Sequence, residues 1–329
     1  MTVSRRQALA AVPAAGLLAA LGRSAWAQSG FETARIITGF AAGGTADVIS
    51  RRAAEKMQPG YARTVLVENR TGAGGQIAVQ YVKAAASDGA TVLQTPMSML
   101  CIYPHIYKKL PYDPVADLSP VSLGAVFDLA FGVGPMVPAS VKTVNDYLAW
   151  AKESPKRGSF GVPAAGSIAH FMGVLLGRAG GVELQQVPYR GTLPAIQEMV
   201  GGQLPAVCGP VGEFTQFVKA GKCRLLATAG ARRSRFAPEV PTLVEQGFKD
   251  MVYRDWFAFY LPPRSSPEQV QRLHAALASA LAAPDVVAGL AAIGLEAQSS
   301  TPAELAAMQR KELELWDPLV KTIGFTADS

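Results

Sequence analysis

Arg35-Ile36-Ile37-Thr38-Gly39-Phe40, then Ala41-Ala42-Gly43-Gly44, then Thr45 to Met57 is the stretch that decides the fold. β-branched residues give way to a turn of small residues and then to a segment with helical spacing, which reads as strand, tight turn and helix. The pattern repeats at once, with a strand over Thr64 to Glu68, a glycine turn over Gly72 to Gly75 and a helix over Gln76 to Ala86. Ser87-Asp88-Gly89 is turn chemistry, and Ala90 to Gln94 reads as a third strand. Successive strand–helix units predict one parallel α/β sheet whose connecting loops gather at one end.

Working outward, Ser119 to Val133 carries two apolar runs with no helix between them, as a strand crossing between two lobes would. After a helix over Val141 to Lys152 a second set begins: strand Ser159–Val162, helix Ile168–Ala179, strand Leu184–Val187, helix Pro194–Gly201. Ala206–Cys208, helix Phe214–Ala220 and strand Cys223–Ala227 complete that set. Trp256 to Tyr260 reads as a strand returning to the first lobe, and the remainder is helical, with Ser266-Pro267-Glu268 as a start signal. The expected division is residues 28–126 with 255–329 as lobe 1 and 127–254 as lobe 2, because about 300 residues exceed one core of ordinary size.

The chain starts with Ser4-Arg5-Arg6, an apolar stretch from Ala8 to Leu21, and Ser24-Ala25-Trp26-Ala27, the parts of an export signal with cleavage after Ala27. Arg5-Arg6 with Leu9 resembles the twin-arginine pattern, although Ala8 replaces the usual phenylalanine. The apolar run is shorter than the roughly 20 residues a spanning helix needs. Removing Arg5, Arg6 and Arg23 takes 31 bases to 28 against 25 acids, so the formal charge falls from +6 to +3. No concentrated basic face remains, so no nucleic-acid partner is expected. Cys101, Cys208 and Cys223 are too few to specify the fold; Cys208 and Cys223 could pair only on neighbouring strands, and buried thiols are expected instead.

In open α/β sheets ligands bind beyond the carboxyl ends of the strands, and a helix start there offers unpaired N–H donors to an anion. Phe40 to Thr45 is such a loop, and Gly43 and Gly44 allow close approach to its backbone. Thr95-Pro96-Met97-Ser98, Pro163-Ala164-Ala165-Gly166-Ser167 and Arg190-Gly191-Thr192 repeat the construction. If two lobes face each other, these starts converge on one cleft as a carboxylate site that needs neither metal nor cofactor. Trp256 is the candidate for contact with the apolar body of a ligand.

Ala42-Gly43-Gly44-Thr45-Ala46-Asp47, Val67-Glu68-Asn69-Arg70-Thr71-Gly72-Ala73-Gly74-Gly75, Tyr103-Pro104-His105-Ile106-Tyr107 through Pro114, and Val187-Pro188-Tyr189-Arg190-Gly191 stand in order along the chain. With Ser87-Asp88-Gly89, Val240-Pro241-Thr242 and Trp256-Phe257, the set resembles the Bug family, the TctC-type periplasmic receptors of tripartite tricarboxylate transporters. The resemblance implies an α/β, two-lobed periplasmic-binding fold of type II-like form, each lobe a mixed sheet flanked by helices, with the ligand cleft between. It also implies a periplasmic monomer that binds a small organic carboxylate and meets membrane transporter subunits. By position it places Gly43, Gly44, Thr45 and Asp47 in the first-lobe loop and Gly166, Ser167 and His170 in the second, and the loop reading adds Phe40, Ala42 and Ala165 as ligand contacts. Arg190 lies where many relatives have lysine, and reads either as a counter-charge beside the cleft or as one partner of an outward salt bridge. Relatives often carry aspartate where this chain has Gly209, and an acid there can hold a ligand ammonium. Its absence leads to an expectation of non-amino acids over aspartate or glutamate.

Three other readings start from the same residues. A periplasmic sensor subunit would use the same chemistry. A hydrolase could start from Ser167 and His170, but no Gly-x-Ser-x-Gly elbow occurs, and three histidines without His-Glu-x-x-His spacing hold no metal. Gly72-Ala73-Gly74-Gly75 lacks the third glycine of a dinucleotide loop, with Ile77 in its place.

Overall fold

The computed structural model describes residues 30–327, and the export signal read over 1–27 lies outside them. β1 (Phe31–Thr38) leads into α1 (Thr45–Met57), β2 (Ala62–Asn69), α2 (Gln76–Lys83) and β3 (Thr91–Pro96). β1 lies between β2 and β3 and is parallel to both, so their carboxyl ends share one edge. Two short helices follow, α3 (Met97–Cys101) and α4 (Tyr103–Ile106), then β4 (Ser119–Val133) and α5 (Val144–Ala151). Every residue of α3 is buried, an apolar cluster too short to show helical spacing in the sequence. Where a loop was expected over Thr95 to Ser98, the strand runs to Pro96 and the helix starts at Met97.

The second set comprises β5 (Ser159–Val162), α6 (Ile168–Ala179), β6 (Gln185–Pro188), α7 (Thr192–Val200), β7 (Ala206–Pro210), α8 (Val211–Lys219) and β8 (Arg224–Thr228). β9 (Arg254–Leu261) then pairs antiparallel with β3 and with β4. The chain closes with α9 (Pro267–Ala282), α10 (Pro284–Ala291), the two-residue β10 (Glu296–Ala297) and α11 (Pro302–Ile323).

β4 joins the two sets. Its residues Ser119 to Asp128 pair with β9, and Leu129 to Val133 pair with β7. Phe131 to Val133 also face β8, so β4 lies between β7, which carries Cys208, and β8, which Cys223 immediately precedes. All three cysteines are buried free thiols.

Capping fixes the helix starts. Ser266 and Thr301 each accept the N3 amide and receive the N3 side chain in return, through Gln269 and Glu304, and Pro267 and Pro302 follow in the first turn. Among the described residues no single helix is long and apolar enough to cross a membrane.

Candidate ligand-binding site

A cavity of ≈ 50 Å³ lies between the two sets of strands. One wall is the loop after β1 with the first turn of α1 (Phe40, Ala41, Gly44, Thr45, Ala46) and the start of α3 (Ser98, Met99). The facing wall is Pro163, Ala164, Ser167 and Ala169 at the start of α6, Gly191 to Pro194 at the start of α7, and Glu213 in the first turn of α8. Phe127 and Leu129 of β4 and Asp255 and Phe257 of β9 complete it, with Phe127 and Phe257 stacked 5.3 Å apart.

Three contacts tie the walls together. The Ala41 amide donates to the Arg190 carbonyl at 3.2 Å, and the Ile168 amide donates to Ser98 Oγ at 3.1 Å. The Thr45 amide donates to Glu213 Oε1 at 3.0 Å, and the Thr45 hydroxyl donates to the same oxygen. Glu213 therefore caps the positive end of α1 from the opposite wall. Burial pushes its carboxyl up, and the Thr45 hydroxyl and amide pull it part of the way back.

The next amides of two facing helices remain. Ala46 and Ala169 are the second residues of α1 and α6, both line the cavity, and neither amide has an acceptor among the described residues. First-turn amides have no partner within their own helix, so these two are open to an external acceptor. Among the described residues no group of three His, Cys, Asp or Glu could hold a metal ion.

Of the residues expected to touch a ligand, Phe40, Gly44, Thr45, Ser98 and Ser167 line the cavity. The others do not, for distinct reasons. Asp47 is turned back on its own loop. It accepts from the Gly43 amide at 2.9 Å, from Arg51 Nε at 2.8 Å and from Asn69 Nδ2 at 2.9 Å. Burial pushes Asp47 up, but those three bonds outweigh it and hold the carboxyl below the usual range. Ala42 is exposed, and Gly43 faces an outer groove of ≈ 370 Å³ beyond Glu213.

Thr95 and Met97 are buried, with Thr95 Oγ1 donating to Met99 Sδ at 3.1 Å, and Ala165 does not reach the cavity. His170 Nδ1 accepts from the Gly166 amide at 3.0 Å, and burial drives the imidazole down to about 4, so it is neutral. Ser167 Oγ donates to the Ala164 carbonyl at 2.8 Å and accepts from the His170 amide, so it caps α6 and is not paired with the imidazole as a hydrolase would require. Arg190 is exposed beside Gly72 to Gly75, outside the cavity, and supplies no counter-charge within it.

Trp256 is on the wrong side of its strand. Side chains alternate along β9, so Asp255 and Phe257 face the cavity together while Trp256 is buried elsewhere with Nε1 unpartnered. Asp255 is 6% exposed, and its Oδ1 accepts the Trp256 amide at 2.7 Å. Burial pushes this carboxyl up to about 7, with Glu312 raising it further against the pull of that amide.

Gly209 is behind the wall. A Cβ there would meet Thr192 Cγ2 at 2.2 Å, so the space an aspartate would need is filled by Thr192. Gly209→Ala is expected to cost about 1–3 kcal/mol through this overlap. Thr192→Ser removes Cγ2, so the double variant should regain most of that loss. Equal losses in the single and double variants, measured by denaturant unfolding, would show that the overlap is not the cause.

Asp255 and Glu213 escaped the sequence reading. Asp255 carried a faint signal, an acid opening an otherwise apolar strand. Glu213 carried another, an acid in the first turn of a helix that starts three residues earlier than expected.

Relatives fit this geometry. Protein BugT of Bordetella pertussis is 29% identical over 291 residues, 88% of this chain and 89% of its own. MatC from Rhodopseudomonas palustris with bound malate superposes with a TM-score of 0.81 at 26% identity, covering 88% of this chain and 98% of that one. An R. palustris protein with adipate gives 0.85 at 26% identity, covering 92% and 100%. The expected two-lobed periplasmic-binding fold is therefore present, and the family described as "Tripartite tricarboxylate transporter family receptor" matches residues 49–325. This chain belongs to that TctC family of Bug-type receptors.

Proposed function

We propose that the protein is an exported receptor that closes two lobes on a small carboxylate and hands it to a tripartite tricarboxylate-type membrane transporter. The observation that carries this reading is the pair of unpaired amides at Ala46 and Ala169, on facing helix starts in one cavity. A carboxylate there would gain donors from both lobes, and only a ligand that binds the closed form better can shift the population toward it. The malate and adipate in the related structures support a carboxylate.

The lobes in this reading are residues 28–126 with 255–329 and 127–254, and the protein acts as a monomer in the periplasm after cleavage at Ala27. Phe40, Gly44, Thr45, Ser98 and Ser167 contact the ligand, while Asp47, Gly166 and His170 hold the loops in shape. Gly209 gives no ground for excluding amines, because the acids of this cleft come from Asp255 and Glu213.

Thermal unfolding against mono-, di- and tricarboxylates and their amino analogues tests the reading. A ligand of the folded state at 100 times its Kd adds about 2.7 kcal/mol, a rise of several degrees. A flat response to every carboxylate in the panel would overturn it.

A further inference from the structure

Asp255 and Glu213 give the cleft a character that a plain carboxylate receptor would not have. Both line the cavity, and no Lys, Arg or His does. Asp255 is more than nine-tenths buried, with one oxygen on the Trp256 amide and the other, Oδ2, without a donor among the described residues. Glu213 spends Oε1 on Thr45, and its Oε2 is sealed from solvent with no hydrogen-bond partner; the Leu193 amide acts on the carboxyl from outside bonding geometry. The cavity thus holds one open carboxylate oxygen, Asp255 Oδ2 on the β9 side, and open amides at Ala46 and Ala169 on its two facing walls. Its apolar lining includes the stacked pair Phe127 and Phe257.

We propose that the cleft takes a short ligand with a carboxylate at one end and a positively charged nitrogen at the other, the nitrogen held by Asp255. The proposal rests on the carboxylate reading above for the first end and adds the second. A cation supplies the donor that Asp255 Oδ2 lacks, and it offsets the cost of keeping a carboxylate out of water. A second carboxylate in the same place would face Asp255 with no base beside it.

Calorimetric titration of the mature protein with ω-amino acids of three to six carbons, dicarboxylates of matched length and the corresponding alkylamines tests it. At least one ω-amino acid is expected to bind ten-fold or more tightly than its matched dicarboxylate. Asp255→Asn should weaken that ligand ten-fold or more while leaving the dicarboxylate unchanged or tighter. If no ω-amino acid binds, if the matched dicarboxylate binds as well, or if Asp255→Asn changes nothing, the proposal is overturned. Dicarboxylates binding while ω-amino acids do not would overturn it and leave the carboxylate reading standing. Alkylamines binding as tightly as ω-amino acids would instead sink the carboxylate reading and keep the role of Asp255.

Discussion

Asp255→Asn is expected to melt about 8 °C above the parent chain at pH 8, with the gap closed once the pH falls below about 4. Burial lifts the Asp255 carboxyl from 3.8 to about 7 in the folded protein. A shift of that size corresponds to roughly 4 kcal/mol, and a domain this large gains about 2 °C per kcal/mol. The sign follows from which state holds the proton. Below the unfolded value the acid is protonated in both states and folding gains or loses nothing. Between about 4 and 7 the folded state keeps a proton that the unfolded state has released, so stability falls as the pH rises, and above 7 the full penalty is present. Asparagine carries no charge and can still accept the Trp256 amide, so it escapes the penalty at high pH only. Glu312, the other acid acting on Asp255, adds a like charge that the asparagine no longer meets, so its repulsion is part of the gap. The check is a series of melts of both proteins from pH 3.5 to 8.5. A gap that is constant with pH, or a variant less stable at pH 8, would mean that Asp255 is not a buried acid held against its preference.

The layout was legible in the sequence because it is written in local spacing. α1, β4, β5 and α6 have the bounds that turns and apolar runs predict, and β9 returns to the first set of strands as its apolar run suggested. The loops that build the cleft were legible for the same reason: each lies between a strand and a helix. Which side chain of a loop faces the ligand was less so. That depends on a half-turn of helix or a one-residue register along a strand, and a shift of one residue exchanges Trp256 for Asp255 and Phe257. Ala46 and Ala169 were invisible because their contribution is a backbone amide, which no residue type announces. Glu213 was hidden by distance, since its partner Thr45 is 168 residues away and only the closed arrangement of the two walls brings them together. Thr192 filling the space beside Gly209 belongs to the same class of tertiary fact.

The backbone contact behind Glu213 leads to the second large effect. Gly212, one residue before it in α8, packs directly on the turn that follows α10. A Cβ on Gly212 would lie 1.5 Å from the Ile293 carbonyl oxygen and 2.9 Å from the Gly294 nitrogen. Gly294 is itself left-handed, with φ +71°, and its own Cβ would lie 2.7 Å from Gly212 Cα. The obstructing atoms are backbone, so no rotamer change relieves the overlap and one element must move. Gly212→Ala is therefore expected to cost about 3 kcal/mol or more, at or beyond the upper end of ordinary overpacking. The motion would carry α8 away from the first wall, so the Glu213 carboxylate leaves Thr45 and any ligand that needs both walls loses affinity with it. Gly60→Ala serves as the control, because a Cβ there meets nothing within 4 Å. It should stay within about 0.5 kcal/mol of the parent. Denaturant unfolding measures the stability, and amide hydrogen exchange at Thr45 reports the contact, with faster exchange expected in Gly212→Ala than in the parent. A Gly212→Ala protein as stable as the Gly60→Ala control, with Thr45 still protected, would show that α8 and the turn after α10 have room that the close backbone contact denies.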